Sequence, residues 1–129
     1  MMRRSPKKPI PSSRRRAERA GRWAETLAAW YLRAKFYRIV ATRYKTPVGE
    51  IDIVARRGRL IVLVEVKHRA GNAAARAQAL EAVNTARIIR AARWFQSAHP
   101  RYGGYDFRFD VISVAPNRWP HHLVNAFSA

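Results

Sequence analysis

Glu50, Asp52, Glu65 and Lys67 are the residues of this chain whose types and spacing could do chemistry. The chain has 26 Lys and Arg against 8 Asp and Glu, yet three of its acids sit in two apolar runs, Gly49-Glu-Ile-Asp-Ile-Val-Ala55 and Leu60-Ile-Val-Leu-Val-Glu-Val-Lys67. Apolar strands exclude charge, because an unpaired buried carboxylate is costly to remove from water. Carboxylates about 4 Å apart repel by roughly 4 kcal/mol per pair at an effective dielectric near 20, and one lysine cannot neutralise three of them. A hard divalent cation can. Magnesium or manganese prefers carboxylate and water oxygens, usually taking one or two carboxylates and completing its shell with water and substrate phosphate.

Whether the four residues meet depends on one hairpin. Side chains alternate across a strand, so Glu50 and Asp52 are expected on one face of theirs, and Leu63, Glu65 and Lys67 on one face of theirs. With Arg57-Gly58 as a two-residue turn, Arg56 pairs with Arg59, Asp52 falls opposite Leu63 and Glu50 opposite Glu65. All four polar residues then share a surface, whereas a three-residue loop without a bulge would send Asp52 to the other face. A metal held by acids inside a phosphate-attracting surface points to phosphodiester hydrolysis. Lys67 would orient the attacking water or stabilise the developing negative charge. The rival reading is an ion-paired sheet edge without metal, Glu65 being bound to Lys67 or Arg56. Glu50, just after Gly49, also reads as a strand-start residue paired with an arginine.

The charge of +18 and the pI near 11.7 point to a polyanionic partner, since clustered Lys and Arg displace counterions from phosphate backbones. Nucleic acid leads, DNA ahead of RNA. An acidic membrane surface would call for a basic amphipathic helix with a strong apolar face or a lipid anchor. Neither is evident, nor is a run of about 20 apolar residues. At 129 residues, 48% of them hydrophobic, the sequence fits one domain with one core. Without cysteine there is no disulfide, thiolate zinc site or cysteine nucleophile. Met1 to Ser13 lacks the apolar stretch of a secretory signal, and Pro6, Pro9 and Pro11 oppose the amphipathic helix of a transit peptide. The expected compartment is the cytoplasm.

Residues 1–16 hold three prolines, three serines and seven basic residues, the composition of a disordered basic arm that contacts phosphates non-specifically or keeps the chain soluble. Residues 17–129 read as a single domain. Trp23, Leu27, Trp30, Tyr31 and Ala34 follow helical spacing from about Ala17 to Lys35 and mark an amphipathic helix against a core, with Glu25 at the border of the apolar arc. Strands follow around Arg38 to Tyr44, Glu50 to Arg56 and Leu60 to His68. Asn72 is placed to cap a second helix, about Ala73 to His99, with Leu80, Ile88, Ala91, Ala92 and Phe95 facing inward and Pro100 ending it. Gly103-Gly104 precedes a strand from Tyr105 to Ala115, and Leu123 to Phe127 reads as a last turn docked on the core. The order is α-β-β-β-α-β, a mixed sheet with flanking helices in the α/β class.

Gly49-Glu50-Ile51-Asp52-Ile53-Val54-Ala55 and Val64-Glu65-Val66-Lys67-His68-Arg69 resemble the YraN-like family of small, poorly characterised bacterial proteins. Gly21-Arg22-Trp23-Ala24-Glu25 and Arg108-Phe109-Asp110-Val111 look like that family too, and the similarity spans about residues 20 to 127. The family is similar in turn to the PD-(D/E)XK nuclease superfamily, which includes archaeal Holliday-junction resolvases and has a restriction-endonuclease-like core of the same element order. The resemblance implies a magnesium- or manganese-dependent endonuclease acting on DNA, branched or structured DNA included. It assigns Asp52 as acidic ligand, Glu65 and Lys67 as the E-x-K pair, Glu25 as the first-helix acid and the Val66 backbone carbonyl as a further ligand. A resolvase also implies a homodimer spanning a junction. On the second helix, Asn84 and Arg87 are the candidates for the superfamily's additional polar residue, with no clear match. Fold alone does not establish activity, and some members bind without cutting.

The alternative function is therefore a non-catalytic nucleic-acid-binding module that retains the fold. A third reading, a protein-interaction module built on the aromatic first helix, would show as an exposed Trp23 or Trp30 patch. The four tryptophans are otherwise expected to be packing residues, an exposed one being able to stack on an unpaired base. Adjacent His121 and His122 point to opposite faces of a strand and are expected at the surface. Asp110 is expected to support Arg108 or the sheet rather than a metal.

Overall fold

The computed structural model describes residues 12–68 and 85–128. Helix α1 (Ser12–Ala34) leads into β1 (Arg38–Thr46), β2 (Gly49–Arg57) and β3 (Leu60–His68), then helix α2 (Thr85–Ala98), a 3-10 turn (Pro100–Tyr102), β4 (Asp106–Val114) and β5 (His121–Phe127). The five strands form one sheet in the order β1-β2-β3-β4-β5. Only β3 and β4 are parallel, and the other neighbours are antiparallel. A parallel neighbour needs a crossover, and α2 lies in that connection.

The helices cover opposite faces. Ala24, Ala28 and Leu32, four residues apart on α1, pack on Ile53, Val62, Val64, Ile112 and Val114. Ile88, Ala91, Ala92 and Phe95 of α2 pack on Val54, Ile61, Leu63, Phe109 and Val111. The run Ile61 to Val64 is buried on both sides, which is why β3 reads as continuous apolar sequence instead of alternation. The expected α/β order is therefore present, and the inward residues assigned to the second helix from Ile88 onward are all buried. Asn72 and Leu80 lie outside the described residues.

Four expectations change. Helix α1 opens at Ser12, so residues 12–16 of the expected arm are helical: serine favours helix starts and arginine is a good helix former. Residues 1–11 lie outside the described range. The buried stripe of α1 is the small-residue one, because alanines let the helix approach the sheet closely, while Trp23 and Trp30 are exposed. The tail from His121 forms a fifth strand, paired antiparallel with β4, rather than a turn. The hairpin turn is Gly58-Arg59, with Arg57 paired to Leu60, because Gly58 accepts φ +61° at the first turn position where type II′ needs a positive value. Moving the turn by one residue slides the pairing by two, which preserves which side chains share a face.

Helix α1 ends in a Schellman-type turn, with the Tyr37 N–H bonded to the Leu32 carbonyl and the Phe36 N–H to that of Arg33. It turns Lys35 and Tyr37 toward β4 and β5. Among the described residues no helix is long and apolar enough to cross a membrane.

Candidate functional site

The β2–β3 ladder runs from Arg57↔Leu60 to Ile53↔Val64 and stops there. The next residue outward, Asp52, replaces the missing backbone partner with its side chain: the Val66 N–H donates to Asp52 Oδ2 at 2.8 Å. Continuing the register brings Asp52 opposite Glu65 and Glu50 opposite Lys67, two residues along β3 from the expected partners. Lys67 Nζ lies 3.1 Å from Glu65 Oε1, with both side chains about one-fifth exposed. Asp52, Glu65 and Lys67 therefore meet where two strands part.

A local irregularity aims Asp52. Arg43, on β1 between the pairs Thr42↔Ile53 and Tyr44↔Ile51, has φ +50°, uncommon for a residue with a Cβ. On β2, Ile51 packs in the α2 layer while Ile53 packs in the α1 layer, a reversal that simple alternation forbids. Asp52 stands at that reversal, with its carboxylate turned to an in-plane backbone donor. The expectation that Glu50 and Asp52 point together from one strand face fails here, since a strand with a left-handed neighbour does not keep its period. Glu50 is exposed and paired in the ladder with Lys45.

Glu25 comes from α1. Arg43 Nε donates to Glu25 Oε2 at 2.7 Å, and the Glu25 charge still reaches Asp52. The bond and the charge of Glu25 raise the Arg43 pKa, with smaller contributions from Glu50 and Asp52. Sequence reasoning missed Arg43, although extending the β1–β2 register would have put it beside Asp52. Arg87 of α2, one of two second-helix candidates, donates to the Val48 carbonyl at 3.3 Å. It lies over Gly49, whose φ of +155° favours glycine and where a Cβ would come 3.0 Å from Arg87 Cγ, so that the arginine side chain would have to shift. Asn84 lies outside the described residues.

Burial, and after it the Glu65 charge, push the Asp52 carboxyl up to about 7 against the opposing Val66 N–H. Two carboxylates share a partly dry site in which Lys67 holds one and a neutral amide holds the other. Among the described residues no group of three or more His, Asp or Glu side chains is arranged around one point. The oxygen set on offer is two carboxylates plus backbone, which suits magnesium better than a caged ion. The ion-paired reading accounts for Glu65 through Lys67 and leaves Asp52 without a described cation bonded to it; Arg56 donates instead to the Gly58 carbonyl.

A second acid lies deeper in the sheet. Asp110 is fully buried and takes Arg108 Nε and Nη2 at 2.8 Å each, His122 Nε2 at 2.7 Å and the Asn125 N–H at 2.9 Å. Arg108 also donates to the Tyr37 hydroxyl at 2.7 Å, and Lys35 Nζ lies 2.9 Å from His122 Nδ1. Lysine can only donate, so Nδ1 accepts and the ring proton sits on Nε2, facing Asp110. His122, with a side chain 2% exposed, is therefore no surface residue: the unexpected β5 carries it inward. Asp110 supports Arg108 and the sheet, as its sequence context suggested.

The architecture is a three-layer α/β/α domain with an acid pair and a lysine where its central strands diverge. The chain belongs to uncharacterised protein family UPF0102, the YraN-like group, whose match covers residues 24–114. It is 47% identical over 124 residues to a UPF0102 protein of Parvibaculum lavamentivorans, covering 96% of this chain and 92% of the relative. It is 51% identical over 126 residues to one of Rhodopseudomonas palustris, covering 98% and 95%. The matched segment includes Glu25, Asp52, Glu65, Lys67 and Asp110, and ends before His122.

Proposed function

We propose that this protein is a divalent-metal-dependent endonuclease of the PD-(D/E)XK, restriction-endonuclease-like kind, acting on DNA and on branched or structured DNA in particular. The observation that carries the reading is the convergence of Asp52, Glu65 and Lys67 at the divergence of β2 and β3, with Asp52 pushed up to about 7 by burial and the adjacent acid. Lys67 balances only one of the two carboxylates, and Mg2+ or Mn2+ would supply the remaining positive charge. Asp52, Glu65 and the Val66 backbone carbonyl are the ligands, with Glu50 a peripheral acid at the strand entrance. The bound ion contributes Lewis acidity toward a phosphate oxygen and acidifies water.

The chain's own groups do the rest. Lys67, anchored on Glu65, donates hydrogen bonds to the attacking water or to the oxygen on which charge develops. Arg43 holds Glu25 beside Asp52 as an accessory acid. The +18 charge draws the polyanion to the protein. A homodimer would set two such sites on one junction, and the cytoplasm is the compartment where such DNA lies.

The test is a cleavage screen over duplex, flap and junction DNA and structured RNA with Mg2+ and Mn2+, run beside Asp52→Ala, Glu65→Ala and Lys67→Ala. Metal-dependent cleavage lost in all three variants is the expected result; undiminished cleavage by Glu65→Ala would overturn the assignment. The Glu65–Lys67 and Glu25–Arg43 pairs favour a second reading, a non-catalytic nucleic-acid-binding module with structural carboxylates. Salt-dependent binding indifferent to EDTA, with no substrate cut, would select it.

A further inference from the structure

The tryptophans of α1 line a cleft instead of the core. It has a volume of about 540 Å3 between α1 and the β4–β5 turn, with Trp23, Leu27, Trp30, Tyr31, Arg118 and Trp119 on its walls. Trp119 is 86% exposed and Trp30 63%. Folding alone favours burying indoles, since each offers roughly 150–250 Å2 of surface, so several left in water around one cleft mark a binding surface.

The charge around the cleft is one-sided. Arg118 stands in its wall, the Arg33 guanidinium lies 5.0 Å from the Trp30 ring centre and Lys35 Nζ 5.1 Å from that of Tyr31. Among the described residues no acid lines it. The edge of Trp23 meets His68, with ring centres 6.0 Å apart, and His68 follows Lys67 on β3. His68 alternates away from Lys67, so the cleft opens on the α1 face of the sheet, the face that Val64 and Val66 share.

We propose that this cleft receives an unpaired base of a DNA strand, the base stacking on the indoles while Arg33 and Arg118 take its phosphates. The inference rests on the nuclease reading and narrows its substrate class to DNA with a single-stranded or frayed segment. Both faces of a base in duplex are occupied by its neighbours, so only an unstacked base presents a face to an aromatic wall, and such stacking tolerates any base. Charge decides against a second copy as the occupant: two chains of +18 would bring like-charged rims together.

The test measures equilibrium binding of the full-length protein in EDTA to a labelled short thymidine oligonucleotide and to a blunt duplex of equal length. Wild type is expected to bind the single strand with quenching of its indole fluorescence. Trp30→Ala and Trp119→Ala should each weaken that binding about ten-fold and leave duplex binding within about two-fold, with Trp30→Phe recovering most of the loss. These side chains are exposed, so thermal melts of the variants should match wild type. Equal losses on both DNAs, or no loss on either, overturn the proposal. So does a variant that changes oligomeric state while keeping single-strand affinity, which would make the cleft a contact between copies. Cleavage plays no part in the readout. A wild type that never cuts DNA therefore sinks the nuclease reading alone, and unchanged tryptophan variants sink the cleft alone.

Discussion

Asp52 and Asp110 lie two strands apart in one sheet, yet their surroundings treat them in opposite ways. At Asp110 burial pushes the carboxyl up, but the bonds from His122, Arg108 and the Asn125 amide outweigh it and hold the group at about 2. The Arg108 pKa is raised in return, chiefly by its bond to Asp110. At Asp52 burial again raises the carboxyl, and the charge of another acid, Glu65, adds to the rise. The first acid is complete within the fold; the second has a backbone amide but, among the described residues, no cation bonded to it. A buried charge with all its partners marks structure, and one with a like-charged neighbour marks a site.

Removing the complete acid should cost most. Asp110→Ala leaves Arg108 and His122 facing an empty position, and a loss of about 3–5 kcal/mol in urea unfolding is expected; a loss below about 1 kcal/mol would erase the contrast.

The incomplete acid should behave in the reverse sense. The Asp52 carboxyl titrates near 7 in the folded protein against 3.8 ordinarily. Between those values the folded chain keeps a proton that the unfolded chain has released, so stability falls as pH rises through this window and is lowest above it. Asp52→Asn keeps an oxygen for the Val66 amide and removes the charge. It is expected to stabilise the metal-free protein by about 2 kcal/mol near pH 8, a figure discounted for partial exposure, and by almost nothing near pH 4. Destabilisation at pH 8 would mean that Asp52 is ion-paired like Asp110.

Asp110 sets the opposite limb. Its depressed carboxyl contributes stability in full above about pH 4, and that contribution is lost as pH falls through about 2. The acid-unfolding limb of wild type should therefore be steep below pH 4. Arg43→Ala is expected to have the smallest effect, under about 1 kcal/mol, because its pair with Glu25 is partly exposed. A larger loss would assign Arg43 to holding the left-handed turn of β1 as well as Glu25.

The contrast between the acids was only half legible in the sequence. Charge in an apolar run marked Asp52, Glu65 and Lys67, because the hydrophobic pattern of β2 and β3 makes any acid there conspicuous. The hairpin slid by two residues without separating them, since side-chain faces repeat with that period. What periodicity cannot show is where a strand departs from it: the left-handed Arg43 and the reversal between Ile51 and Ile53 are backbone facts. Helix α1 misled because tryptophans at helical spacing look like core, whereas close packing on the sheet selected Ala24 and Ala28. His122 was hidden because its strand is short and weakly patterned, and only the pairing of β5 with β4 turns it toward Asp110.

The central claim is that Asp52 and Glu65 form a divalent-ion site. Titration of Mn2+ into the protein without nucleic acid, followed by electron paramagnetic resonance, tests it most directly. Wild type is expected to bind Mn2+ at one site, with binding lost in Asp52→Ala and Glu65→Ala and retained in Asp110→Asn if that variant is folded. Equal binding by wild type and both site variants, or none by wild type, would contradict the account.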